Sequence, residues 1–242
     1  MLKQTLPFKT VDPDLRRYGP CLTGRILILE GLISAGKSTA GKEILAFAEK
    51  IGVKCKFFTE PLIQDLLDLF LSDQKKYAFS FQLAMLIKRQ AIYREAQKFA
   101  AEGWFCIIDR SLYGDYCFAL MHKNKGNISD EPANLKPDAI TEWKSYLAAL
   151  HCEQFNHPDY VIYLEVTPDT AMVRCKKRDR NGETAYTKEY FQELCQVYNS
   201  VIPSSPAKSI DTVDWNEERE TKVIARDLLD RVRKMYDHAF NL

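Results

Sequence analysis

Residues 31–39, Gly31-Leu32-Ile33-Ser34-Ala35-Gly36-Lys37-Ser38-Thr39, match the spacing G-x-x-x-x-G-K-[ST]. They follow an apolar run, Arg25–Glu30 (RILILE), and lead into an amphipathic stretch that starts at Lys37. Chemistry explains the residue types. Glycines let backbone N–H groups turn inward on phosphate oxygens without a Cβ clash, and the helix N-terminus adds partial positive charge. Lys37 is placed to reach the β- and γ-oxygens of a nucleoside triphosphate, and the Ser38 hydroxyl to ligate Mg²⁺. Gly31, Ser34, Ala35, Gly36, Lys37, Ser38 and Thr39 are therefore the candidate nucleotide-binding residues.

Such a loop serves hydrolases and transferases alike, so other residues must choose the reaction. Thr59-Glu60-Pro61 places a carboxylate at the end of a second apolar run, where it is suited to accept a proton from a hydroxyl in line with the γ-phosphate. A strand-end glutamate is ordinarily just solvated. Asp109-Arg110-Ser111 ends a third run; the acid is suited to hold Mg²⁺ with Ser38, and Arg110 offers a charge to a transferring phosphoryl group. Arg174-Cys175-Lys176-Lys177-Arg178-Asp179-Arg180 carries five cations in seven residues. Arg174 and Arg178 are four apart and share a helix face, so both can address one phosphate site, although most such runs are solvated faces.

The elements that must carry these residues are legible as alternation. Strands are expected at Arg25–Glu30, Lys54–Thr59, Phe105–Asp109, Tyr160–Val166 and near Lys208–Asp211. Helices are expected at Lys37–Lys50, Tyr77–Ala101, Lys136–Phe155, Pro168–Arg178, Lys188–Asn199 and Asn216–His238. This βαβα order predicts an α/β fold with a central five-stranded parallel sheet flanked by helices, its ligand crevice at the carboxyl ends of the strands. Lys123–Pro137 is rich in breakers and reads as a mobile loop.

A chain of 242 residues with 46% hydrophobic and 28% charged residues suits one α/β domain, expected over 25–242 behind an N-terminal extension, 1–24. A net charge of +1 with intermixed signs argues against a nucleic-acid partner. No run approaches the roughly 18 apolar residues of a membrane helix. The acidic Asp12 and Asp14 and the lack of an apolar core in the extension argue against a leader. Seven cysteines form no C-x-x-C pair, as in a reducing compartment, so the expected location is intracellular and cytoplasmic.

Taken in order, Glu30 with the glycine-rich loop, Glu60-Pro61, Phe79-Ser80-Phe81-Gln82, Asp109-Arg110-Ser111 and the basic run Arg174–Glu183 after Tyr163-Leu164-Glu165 resemble the deoxyribonucleoside kinase family from about Arg25 onward. The resemblance implies a P-loop kinase fold with a lid, ATP as phosphate donor with Mg²⁺, a deoxynucleoside substrate, and a homodimer. Carried over residue by residue, Glu60 is the general base on the 5′-hydroxyl, Lys37 acts at the phosphoryl group, Arg110 stabilises Glu60 and the incoming phosphoryl group, and Ser38 with Asp109 forms the Mg²⁺ pair. Arg174, Arg178 and Arg180 are the lid cations, Glu183 contacts the sugar 3′-hydroxyl, and Asp214-Trp215 borders the adenine.

Gln82, Met85 and Arg89 fall at i, i+3 and i+7, on one helix face, so an amide and a guanidinium can address one bound ring. In the family, an arginine at the Arg89 position paired with an aspartate at the Asp115 position favours deoxycytidine or deoxypurines, and Ala84 matches the deoxycytidine type. Phe81 and Phe118 complete the base site. Two positions depart from the pattern: Leu71 stands where the family has a tyrosine, and the stretch Asp115–Ala119 is one residue shorter. The alternatives are a thymidine-accepting kinase, a thymidylate-type nucleoside monophosphate kinase, and a non-catalytic subunit of the same fold. An acid at Glu60 repels a substrate phosphate, which disfavours the monophosphate kinase. Asp227–Phe240 is amphipathic and is expected to pack on the sheet or on a second subunit.

Overall fold

In the computed structural model, which describes residues 13–128, 159–179, 185–205 and 207–240, the apolar runs pair into one parallel sheet. β1 (Ile26–Glu30), β2 (Cys55–Phe58), β3 (Phe105–Asp109), β4 (Tyr160–Glu165) and β5 (Ser209–Asp214) lie in the order β2-β3-β1-β4-β5. β1 and β3 are buried along their whole length, which is why both read as unbroken apolar runs ending in an acid. The chain leaves β1 for the far edge, returns through β3, and then crosses to β4. Order therefore reverses at β1, and the crevice opens over the carboxyl ends of β1 and β3.

Around the sheet lie α1 (Pro13–Leu22), α2 (Lys37–Lys50), α3 (Gln64–Ser72), α4 (Gln74–Ala101), α5 (Leu112–Asn124), α6 (Pro168–Arg178), α7 (Lys188–Val201) and α8 (Thr221–Phe240). Several start on a side-chain cap that satisfies otherwise orphaned N–H groups, each worth about 1 kcal/mol. Asp73 accepts from Lys76 N and separates α3 from α4. The Ser111 hydroxyl accepts from Tyr113 N and Gly114 N at the head of α5. Thr167, followed by Pro168, caps α6, and Thr187 caps α7. α2 begins at Gly36 (φ 104°) with no side-chain cap, which leaves its first N–H groups for a ligand.

The structure corrects several expected boundaries. α3 and α5 occupy stretches where no helix was expected, and α4 begins at Gln74 instead of Tyr77. β5 runs Ser209–Asp214 instead of ending at Asp211, and the last helix starts at Thr221 instead of Asn216. Part of the N-terminal extension is helical: α1 buries Tyr18, Cys21 and Leu22, and the Tyr18 hydroxyl donates to Asp230 on α8 at 2.6 Å. Of the expected loop Lys123–Pro137, Lys123 and Asn124 close α5 and residues 125–128 turn. The rest of that loop, and the helix expected over Lys136–Phe155, lie outside the described residues. α8 packs within its own chain on α2, α1 and β5, with Leu228, Leu229 and Val232 fully buried.

Candidate active site

The segment after β2 delivers Glu60 to a cleft of about 280 Å³, and the carboxyl ends of β1 and β3 place Glu30 and Asp109, both buried, behind its wall. Its walls come from the P-loop, α3, α4, α5, α6 and the segment before α7. At the phosphate end Lys37 is buried, with Nζ donating to the Gly31 and Leu32 carbonyls at 3.0 and 2.9 Å. Burial, then repulsion from Arg110, brings its ammonium down from an ordinary 10.5 to about 8, against the attraction of Asp109, Glu60 and Glu30. The Ser38 hydroxyl donates to Asp109 Oδ2 at 2.5 Å, and Asp109 Oδ1 is buried with no partner.

Glu60 Oε1 accepts from two guanidiniums, Arg89 Nη2 at 2.6 Å and Arg110 Nε at 3.0 Å. The side chain stays 34% exposed to the cleft. Burial pushes its carboxyl up, but Arg110, Arg89 and Lys37 together outweigh that and hold it well below the usual carboxylate range.

Arg110 is the most constrained of these groups. Its backbone is left-handed (φ 75°), a conformation that costs a non-glycine residue about 1 kcal/mol or more. Nη1 donates to the Tyr198 hydroxyl, and its Cζ lies 4.9 Å from the centre of the Phe118 ring. Burial pushes the Tyr198 phenol well above its ordinary value, so it stays protonated. Glu30 Oε1 accepts from Ser111 N at 2.6 Å. A side chain at Gly114 would meet Arg110 Cγ at 2.6 Å, Glu30 Oε2 at 2.8 Å and the Tyr198 hydroxyl at 2.9 Å, so only glycine admits this cluster.

At the far end Gln82, Met85 and Arg89 present one face of α4, and all are buried. Arg89 Nε donates to Asp115 Oδ1 at 2.6 Å and Nη1 to the Asp109 carbonyl at 3.1 Å. Asp115 Oδ2 and Gln82 Nε2 are buried with no partner. Burial raises the Asp115 carboxyl to about 6, although Arg89 opposes the shift. Phe81 and Phe118 flank these groups in the cleft wall.

Ser34, Gly36, Thr39, Arg174 and Arg178 also line the cleft, whereas Gly31 and Ala35 shape the loop from behind. Arg174 Nη1 donates to the Ala35 carbonyl at 3.3 Å and Nη2 to the Asn216 carbonyl at 3.0 Å, which ties α6 to the P-loop and to the segment after β5. Asp214 and Trp215 are not brought into the cleft. Asp214 is exposed and accepts from Asn216 N and Nδ2 in its own turn. Trp215 is 5% exposed and lies behind the P-loop, its Nε1 3.2 Å from where a Gly36 Cβ would sit. Arg180 and Glu183 lie outside the described residues. Tyr186, Leu62 and Leu67 line the cleft and had not been singled out, nor had Tyr198. Tyr198 shares an apolar stripe with Tyr190, Phe191 and Leu194, and its one distinguishing signal is a hydroxyl that burial obliges to find a partner.

Known proteins are similar to this chain in sequence and in fold. A deoxyadenosine kinase of Dictyostelium discoideum is 27% identical over 207 residues, which is 85% of this chain and 78% of that protein. A deoxyadenosine/deoxycytidine kinase of Bacillus subtilis is 29% identical over 178 residues, covering 73% and 76%. The structure of the M. mycoides deoxyadenosine kinase with bound dATP superposes with a TM-score of 0.64 at 25% identity, covering 86% of this chain and 98% of that one. The family model described as deoxynucleoside kinase matches residues 27–237. Because that match runs from the second residue of β1 into α8, it takes in every strand and the whole cleft, and the chain belongs to the deoxynucleoside kinase family.

Proposed function

We propose that this deoxynucleoside kinase moves the γ-phosphate of ATP onto the 5′-hydroxyl of a deoxynucleoside whose base carries an amino group, deoxycytidine or a deoxypurine. The observation that carries the reading is the pair of buried orphan atoms, Asp115 Oδ2 and Gln82 Nε2. A buried acceptor and a buried donor are costly unless a ligand pairs with them. An exocyclic amine donating to Asp115, beside a ring nitrogen accepting from Gln82, satisfies both. The 4-carbonyl of thymine would set lone pairs against the carboxylate instead.

In the proposed reaction Glu60 takes the 5′-hydroxyl proton, the sugar oxygen bonds to the γ-phosphorus, and the bond to the β,γ-bridging oxygen breaks to release ADP. Lys37 and Arg110 face the charge that develops on the transferred group. Ser38 Oγ and the orphan Asp109 Oδ1 suit Mg²⁺ held by one hydroxyl and, through water, one carboxylate. Bound there, Mg²⁺ would neutralise charge on the β- and γ-oxygens. Arg174, Arg178 and Arg180 are the proposed lid cations, and Glu183 the proposed contact to the sugar 3′-hydroxyl. Asp214 and Trp215 are proposed to border the adenine by backbone alone, since the Trp215 ring is buried.

A homodimer, which the family resemblance implies, is part of the proposal, and a monomer by light scattering would remove it. Five buried free cysteines support a reducing, cytoplasmic setting, and no described helix is long and apolar enough to cross a membrane.

The test is Mg-ATP-dependent phosphorylation of the four deoxynucleosides side by side, with the four monophosphates as controls. Turnover of deoxycytidine or a deoxypurine supports the reading; turnover of monophosphates alone replaces it with a nucleotide kinase. Lys37 adds a pH signature. Phosphate beside Nζ favours the charged ammonium, so ATP binding between about pH 8 and 10.5 is expected to take up a proton, and affinity to fall as pH rises through 8. Calorimetry at pH 9 in buffers of different ionisation enthalpy reads that uptake, and none at all would exclude Lys37 as the phosphate ligand.

A further inference from the structure

Arg89 is shared between the two ends of the cleft. Nε is held by Asp115 on α5, Nη1 by the Asp109 carbonyl at the tip of β3, and Nη2 by Glu60 beyond β2. The guanidinium is 4% exposed, so little water competes for these bonds. One cation is thereby divided between the carboxylate at the base end and the carboxylate proposed as the general base. Arg110 already donates to the same Glu60 oxygen, so that carboxylate is clamped by two fixed charges, which makes it a poor proton acceptor.

We infer that Arg89 is a positioning residue that couples occupancy of the base pocket to Glu60: with the pocket empty it clamps the carboxylate, and a bound base turns it about its bond to Asp115 and frees Glu60. The inference rests on the nucleoside kinase reading of this cleft. Asp115 Oδ2 is the lever, buried and without a partner. While it is an orphan, burial favours the neutral acid, which weakens its hold on Arg89. An N–H from a base satisfies Oδ2 and stabilises the ionised form, and the ionised form pulls harder on Nε. Nε already meets Oδ1 at 2.6 Å, so the ionised Asp115 holds it by charge and not by closer approach, and the planar, rigid guanidinium turns about that fixed bond to carry Nη2 away from Glu60. A proton acceptor is then released only beside a correctly filled site, which guards ATP against transfer to water.

The whole chain with Mg-ATP is assayed on 1,2-dideoxyribose, a sugar with the 5′-hydroxyl and no base. The free base of its best deoxynucleoside substrate is then added up to saturation. Wild type is expected to show a kcat on the sugar that rises roughly tenfold or more with the base. Arg89→Gln, which removes the clamp, is expected to show a higher base-free rate and no response to the base. Arg89→Lys keeps the charge but has no fork to hold both carboxylates, and is expected to lose the response as well. A preparation that phosphorylates deoxynucleosides but whose rate on the sugar ignores the base overturns the coupling and leaves the kinase reading intact. A response that persists in Arg89→Gln removes Arg89 from it, and failure on every deoxynucleoside sinks the kinase reading itself. Should Arg89→Gln not fold, the wild-type comparison decides alone.

Discussion

Replacing Glu60 with glutamine is expected to lower kcat by roughly 10²–10⁴-fold while leaving ATP affinity nearly unchanged. Glutamine keeps the shape and one oxygen for Arg110 Nε, but an amide does not take a proton from an alcohol. ATP has its own anchors in Lys37 and the uncapped start of α2, on the P-loop side of the cleft. The two effects should therefore separate: steady-state kinetics read the loss, and an equilibrium titration of ATP reads its absence from binding. Unchanged kcat would remove Glu60 from the proton-acceptor role, and a matching loss of ATP affinity would make it a binding residue instead.

Asp115→Ala alone is expected to destabilise the protein by about 3–5 kcal/mol, more than the double change Arg89→Met with Asp115→Ala. The single change leaves a buried guanidinium with only the half-buried Glu60 of its two carboxylates, since Arg89 and Asp115 are 4% and 3% exposed and meet at 2.6 Å. The double change takes both charges out of the core together and puts an apolar side chain of similar length in place of the arginine. Denaturant titrations of the three proteins read the order directly, and a single mutant as stable as the double would show that the pair does not act as a unit. The same double change removes the acceptor that repels a thymine carbonyl, so relative kcat/KM for thymidine over deoxycytidine is expected to rise by roughly tenfold or more. Thymidine as the best substrate of the unaltered protein would overturn the base assignment.

Why some of this was legible in the sequence and some was not follows from where each signal lies. β1 and β3 declare themselves because strands covered on both faces must be apolar throughout. α5 hides for the same reason: Leu112, Tyr113, Gly114, Asp115, Cys117, Ala119 and Met121 are all buried, so no polar face marks the helical period, and the glycine in its first turn reads as a breaker. α3 is short and follows Pro61, and β5, an edge strand, keeps polar Asp211 and Thr212 that blur its extent. Local motifs exposed the phosphate end, since the P-loop is contiguous. The contact of Arg89 with Glu60 spans 29 residues, and that of Arg110 with Tyr198 spans 88; neither leaves a local pattern. Only the packing of α4 and α7 against the strand tips brings those groups together.

Trp215, pressed behind Gly36, gives the P-loop an optical reporter. Its indole Nε1 lies within van der Waals reach of any atom added at Gly36, and the Arg219 guanidinium sits 4.4 Å from the ring centre on another side. Any shift of the loop onto a triphosphate must alter the surroundings of that ring, and with them its emission. Trp104 stacks edge-on to Phe99 just before β3, at the opposite end of the sheet, and contributes a steady background. With Trp143 changed to phenylalanine, the unlabelled protein becomes its own nucleotide sensor, and occupancy of the loop can be followed in real time, separately from turnover.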